Sequence, residues 1–230
     1  MTVASLTDAV WAALSTVRDP ELDEPITDLG FVTEATLEGP AVRMRLRLPT
    51  YFCAPNFAYL MVVDAHDAVL SVPGVESVDV RLVDHFAADE INAGVAADEG
   101  FAAAFPRQAQ DDLEQLRMTF RRKAYLASLE RVCSRLLRDG CDVGQLTEYR
   151  FGDLPDTPDV RRLRRRRTEI GLAGGTEELL LVDEHGQAVA APEVALRLRF
   201  ARTVRVSIEG NAAFCRGLLR TRYGPGEDAG

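Results

Sequence analysis

Residues 41–48 read A-V-R-M-R-L-R-L and alternate strictly. Val42, Met44, Leu46 and Leu48 fall on one side, Arg43, Arg45 and Arg47 on the other. Successive side chains of a strand point to opposite faces, so this period of two predicts a strand with one face buried and one wet. Such a strand needs an apolar layer over one face only, and the flanking segments can supply it. Thr7 reads as a helix N-cap with Asp8 in the first turn; Val10, Trp11, Leu14 and Val17 share one helical face, and Pro20 stops the helix. A strand over 31–37 ends in the turn Glu38-Gly39-Pro40. A second helix starts at Pro55, runs to about residue 72 and is broken by Pro73-Gly74. Val78, Val80 and Leu82 mark a third strand. The order is α-β-β-α-β over residues 1–85, which predicts a two-layer α+β domain.

Residues 86–224 read as a mostly helical extension containing a small β-hairpin. Leu113, Leu116, Phe120, Ala124 and Ala127 recur at helical steps, continued by Leu129, Val132, Cys133 and Leu136 up to Gly140. A helix is expected over 160–172. Strands at 179–182 and 187–190 flank D-E-H-G as the hairpin, and a helix starts at Glu193. The β-branched run T-V-R-V-S-I at 203–208 predicts a short strand, and a last helix follows from about Asn211. The tail at 225–230 is expected to be disordered.

Several function classes are disfavoured. Lys and Arg total 27 against 36 Asp and Glu, a net charge of −9, which argues against general nucleic-acid binding. No apolar run approaches the roughly 18 residues of a membrane span, and the start lacks the basic region of a signal peptide, so a soluble cytoplasmic protein is expected. The four cysteines, Cys53, Cys133, Cys141 and Cys215, form no CxxC pair, against a zinc ribbon or a disulfide framework. Lys123 is the only lysine and no P-loop is present. The run R-R-L-R-R-R-R at 161–167 is flanked by acidic residues. It predicts a solvated helix paired with the protein's own carboxylates, or a docking surface for an acidic partner.

Cys53 is the residue with the clearest chemical context. It lies in T-Y-F-C-A-P at 50–55, between the end of a strand and the start of a helix. Unpaired amides and the helix dipole favour a thiolate there, suited to metal or sulfide ligation; burial among Phe52, Phe57 and Leu60 opposes it. The bland alternative is a small buried hydrophobe. Cys215 falls on the expected first turns of a helix capped by Asn211, giving either a second low-pKa thiol or a packed helix-face cysteine. If the C-terminal region folds back on the first domain, Cys53 and Cys215 share a site. Cys133 reads as core. His85, after the third strand, is a ligand candidate, whereas His66 and His185 read as solvated. No histidine has an evident acidic orienter beside a cysteine, so a thiol-dependent enzyme is not expected.

Three short motifs carry a resemblance. They are Asp19-Pro20-Glu21 after the first helix, Asp28-Leu29-Gly30 before the first strand, and Thr50 through Cys53 before the second helix. With the α-β-β-α-β order, they resemble the small iron–sulfur assembly factor family that includes SufT and PaaD, over about residues 5–85. Three departures stand out. Ala54 separates Cys53 from Pro55, only Tyr51 and Phe52 lie between Thr50 and Cys53, and no tight cysteine cluster follows. The long form is similar to accessory proteins beside actinobacterial alkane or propane monooxygenases. The resemblance implies an accessory maturation factor, not an enzyme, that helps assemble or insert iron or an iron–sulfur cluster, held transiently, into a client metalloenzyme such as a di-iron monooxygenase. It implies Cys53 as the metal-binding thiol with Asp19 and Glu21 nearby as ligands or loop formers, and motif roles for Asp28, Gly30 and Thr50. Turn chemistry alone is the alternative for Asp19 and Glu21. The competing function is a metal-free chaperone or adaptor for an enzyme complex. Other assembly proteins are expected partners, and the oligomeric state is open, a homodimer included.

Overall fold

The alternation at 41–48 survives in three dimensions as strand β2 (Ala41–Arg47), with Val42, Met44 and Leu46 buried and Arg43 and Arg45 exposed. The structure is a computed structural model that describes residues 3–97 and 113–224. The tail expected at 225–230 and the helical reading over 98–112 lie outside the described residues. β1 (Val32–Glu38) pairs antiparallel with β2 through the turn at Gly39, whose φ of +63° suits glycine. β3 (Ser77–Val83) pairs parallel with β2, so Leu46 lies between Val32 and Leu82 in a sheet of order β1-β2-β3. A parallel neighbour requires a crossover, which α2 (Pro55–Leu70) provides.

α1 (Val3–Leu14) and α2 join the inward face of the sheet in one core. Val10, Leu14, Phe31, Met44, Leu46, Met61, Val62, Ala65 and Leu82 are nearly or fully sequestered. α3 (Ala88–Ala96) follows, with Ile91 in the same core and the Asn92 side chain bonded to both backbone groups of Leu82. α1 starts at Val3, so Thr7 sits inside the helix rather than at its cap. The helix also ends at Leu14, before the stop expected at Pro20.

The chain divides into two compact units, Met1–Gln115 with Gly210–Gly230, and Leu116–Glu209. The second unit contains most of α4 (Leu113–Arg138), α5 (Pro158–Glu169) and the first part of α6 (Ala191–Tyr223). Its core gathers Leu129, Val132, Cys133, Phe151, Leu163, Leu180 and Val194. Cys133 is core, as the sequence indicates, and burial drives its thiol pKa far up. The expected hairpin is reduced to a single bridge between Val182 and Ala188, with a second bridge joining Arg150 and Leu179. The arginine run divides. Arg161 and Arg165 pair with Asp156 and Glu169 on the surface. Arg166 and Arg167 are buried, against the expectation of a wholly solvated helix.

The largest correction concerns 203–208. T-V-R-V-S-I is not a strand, and no new helix begins at Asn211: α6 runs unbroken for 33 residues. Ala201, Ile208, Ala212 and Leu219 are buried at steps of seven, four and seven, a helical stripe. Packing along that stripe overrides the β preference of Val204 and Val206.

Candidate functional site

The D-P-E segment closes on itself. Asp19 Oδ1 accepts the amides of Glu21 and Leu22, both at 2.8 Å, and the Asp19 and Asp23 amides reach Glu24 O and Asp19 O. This is the Asx-type turn chemistry weighed for Asp19. Burial pushes the Asp19 pKa up to about 6, against the two amides, and the charges of Glu21 and Glu24 add to the rise. Glu21 instead turns outward from the turn and accepts from Asn211 Nδ2 at 3.2 Å. Glu24 pairs with Arg216.

The D-L-G segment is a second turn. Leu29 is buried in the core and Asp28 is exposed, accepting from the Thr27 hydroxyl at 3.2 Å. Gly30 has a φ of +73°, and a Cβ built there would lie 3.3 Å from Leu219 Cδ2. Both observations explain glycine at this position: the conformation strains any other residue, and α6 passes close by.

The Cys53 turn leaves β2 at Leu48 and delivers the chain to Pro55, the first residue of α2. Thr50 Oγ1 and Cys53 Sγ are 3.3 Å apart. His85 holds the backbone of Cys53. An amide can only donate, so His85 Nδ1 accepts from Ala87 at 3.2 Å, and Nε2 carries the proton donated to the Cys53 carbonyl at 2.8 Å. Burial lowers the imidazole pKa and the Arg222 charge adds to this, while the Cys53 carbonyl opposes. With both ring nitrogens engaged, His85 positions the turn rather than offering a ligand atom. Tyr51, Phe52 and Phe86 surround the turn with exposed rings, their centroids 5.0 to 6.3 Å apart.

The C-terminal part of α6 lies across all three motifs. Asn211 and Arg216 engage the D-P-E loop, Leu219 abuts Gly30, and Arg222 donates to Leu48 O at 3.3 Å and Asp84 O at 2.8 Å. The Arg47 guanidinium stacks over the Tyr223 ring at 4.3 Å. This strap carries Cys215, half-buried, as Cys53 is. Burial, then the charges of Asp19, Cys53 and Glu21, push the Cys215 pKa up to about 11. Of the two readings of Cys215, the packed helix-face cysteine fits: Cys215 lies deep within α6, away from any free amides, and the charges of Asp19 and Glu21 oppose a thiolate there. Cys53, Cys215, Asp19 and Glu21 thus interact electrostatically, whereas Asp28 stands apart on the surface.

Sequence reasoning missed Arg216 and Arg222 and read Asn211 as a helix cap rather than a partner of Glu21; reading residues 203–208 as a strand obscured the continuous helix that carries all three. As a donor set, the unit supplies two thiols and neighbouring carboxylates. Among the described residues no group of three or more His, Cys, Asp and Glu side chains could hold a metal ion.

Residues 7–80 match the family described as iron–sulfur cluster assembly protein. Two proteins named iron–sulfur cluster carrier protein, from Deinococcus radiodurans and Synechocystis sp., are each 36% identical over 76 residues. The match takes in 33% of this chain and 21% of each of theirs, so the chain spans about a fifth of the length of these curated relatives. The matched family segment contains Asp19, Glu21, Asp28, Gly30, Thr50 and Cys53; Cys215 lies outside it.

Proposed function

We propose, from the membership of residues 7–80 in the iron–sulfur cluster assembly protein family, that this protein assists the assembly or delivery of an iron–sulfur cluster or iron. Cys53 is the transient ligand, and the recipient is a client metalloenzyme, di-iron monooxygenases among the candidates. The observation that carries the reading is the setting of Cys53. Its thiol sits half-buried on a turn held by Thr50 and His85, beside a second thiol and two acidic residues. Soft thiolates suit iron in clusters. An incomplete set of ligands suits a cargo that must leave, because the recipient can complete the coordination while the donor lets go. His85 fixes the turn's backbone, and the α6 strap fixes the loop facing it.

Metal and acid-labile sulfide content after anaerobic purification tests this, with wild type and Cys53→Ser side by side. Iron in wild type that is absent from the variant is the expected result. No metal in either protein, even after incubation with ferrous iron and sulfide, overturns the carrier role. That outcome would favour a second reading, a metal-free adaptor that binds an enzyme complex through the exposed Tyr51, Phe52 and Phe86 rings.

A further inference from the structure

We infer that the aromatic patch beside Cys53, with the carboxylates at its edge, is the docking surface for a partner protein segment that presents an apolar side chain among basic residues. The inference rests on the carrier reading for the partner's role and deepens it by giving the partner's chemistry.

The rings form a built surface. Tyr51, Phe52 and Phe86 are exposed by 47, 77 and 44%, and their centroids lie 5.0 to 6.3 Å apart. They come from two loops that are tied together. The Phe86 amide donates to Tyr51 O at 3.1 Å, and His85, whose ring lies 4.9 Å from that of Phe86, donates to Cys53 O. Arg222 fixes the second loop by donating to Asp84 O at 2.8 Å. A patch held by such bonds loses little freedom when a partner covers it, and aromatic rings are frequent anchors of protein contacts. Exposed rings that adjoin one another mark an interaction site, whereas scattered ones need no explanation. Phe52 is the chain neighbour of Cys53, so a segment seated on the rings lies beside the thiol.

Charge decides the occupant. Asp84 precedes Phe86 by two residues, Asp89 and Glu90 follow it in the first turn of α3, and all three are exposed. The first turn of a helix favours acids for its own sake, which accounts for Asp89 and Glu90 but not for Asp84. Among the described residues none of the three carboxylates has an ion-pair partner. Arg222 gives its N–H groups to the Leu48 and Asp84 carbonyls instead. An apolar centre with an acidic edge fits a basic segment with an apolar anchor. It opposes a nucleic acid or an anionic lipid surface, which carry the same sign. It also opposes a two-fold pair of this chain, because an isologous contact sets each carboxylate cluster against its own copy.

Fluorescence anisotropy of a labelled amphipathic peptide of lysine and leucine, titrated with the full-length protein at low and physiological salt, tests this. Saturable binding to wild type is expected. Phe52→Ala leaves the net charge of −9 unchanged and is expected to weaken binding by about tenfold, the mark of an anchor residue. Asp89→Asn combined with Glu90→Gln is expected to weaken it by roughly threefold and to flatten its salt dependence. Both variants are expected to keep the wild-type far-ultraviolet spectrum. Undiminished binding by Phe52→Ala means that the peptide reads only the acidity of the whole chain, and overturns the inference. Tighter binding of a glutamate–leucine peptide overturns it too, as does a dimer in sedimentation that Phe52→Ala dissociates. Cys53→Ser is expected to dock the peptide as wild type does. Failure of docking therefore leaves the carrier reading to the metal assay, and failure of metal binding leaves docking standing.

Discussion

The two units hold their buried charge-bearing side chains differently. In the second unit the buried charges of Arg167 and Glu130 find partners in their own surroundings. Arg167 donates to the carbonyls of Leu179 and Leu180 at 2.6 and 3.3 Å and lies over the Phe151 ring; Glu130 accepts from Ser134 and pairs with Arg205. In the first unit burial pushes Asp19 and Cys215 toward their neutral forms, and the charges around them add to the rise. Buried arginine with backbone partners is a means of holding loops to helices. A buried acid whose neighbours are other acids and thiols is held against its own preference, and such frustration concentrates where a ligand or partner will supply the missing charge.

The largest effect that would test this contrast is Arg167→Ala. It leaves two buried carbonyls without their donor and a void beneath Phe151, a loss of roughly 3–5 kcal/mol. Urea denaturation checks it; a loss below about 1 kcal/mol would mean that Arg167 is not a structural clamp.

Asp19 gives the next effect, and its sign differs from that of an ordinary paired carboxylate. Its folded pKa is about 6 against an ordinary value of 3.8, so between these values the folded state binds the extra proton. Stability contributed by this group is present below about pH 4 and declines as pH rises through about 6, by on the order of 3 kcal/mol at about 1.4 kcal/mol per pKa unit. Asp19→Asn keeps an acceptor for the Glu21 and Leu22 amides and is expected to flatten that slope. Denaturation midpoints between pH 4 and 7 for the two proteins decide it, and parallel slopes would remove Asp19 from the set of frustrated groups.

Gly30→Ala is expected to cost about 1–2 kcal/mol, since its positive φ and the nearby Leu219 both oppose a Cβ. Paired with Leu219→Ala, the cost should fall if the contact with α6 contributes. The smallest effect is Arg43→Ala on the wet face of β2. Its pair with Glu38 is exposed on both sides, so the loss stays below about 1 kcal/mol. A larger loss would mean that this face of the sheet is not free in solution.

Much of the first unit was legible because its signals are local. The alternation of β2, Pro55 at the first position of α2 and the break at Pro73-Gly74 act within a few residues, and observed boundaries lie within two residues of those expected. Cys53 was legible as a candidate because it stands in the gap between two such elements. α6 was not legible, because Thr203, Val204 and Val206 carry a strand preference that only distant packing outweighs. The burial of Arg166 and Arg167 was hidden for a related reason. An arginine run looks the same in sequence whether its donors reach water or the carbonyls of a loop a dozen residues away.

By itself, the sequence determined the α-β-β-α-β order, the turn that carries Cys53 and the three motifs around it, since each depends on backbone preferences and side-chain periodicity over short spans. Only the tertiary structure decided that the helix bearing Cys215 packs against the D-P-E loop, that His85 bonds the Cys53 carbonyl and the Ala87 amide, and that burial raises the Asp19 pKa. Those outcomes depend on α6 lying across the loops through Asn211, Arg216, Leu219 and Arg222. Burial and charge at a site are summed over all the elements that meet there, and no single segment encodes that sum.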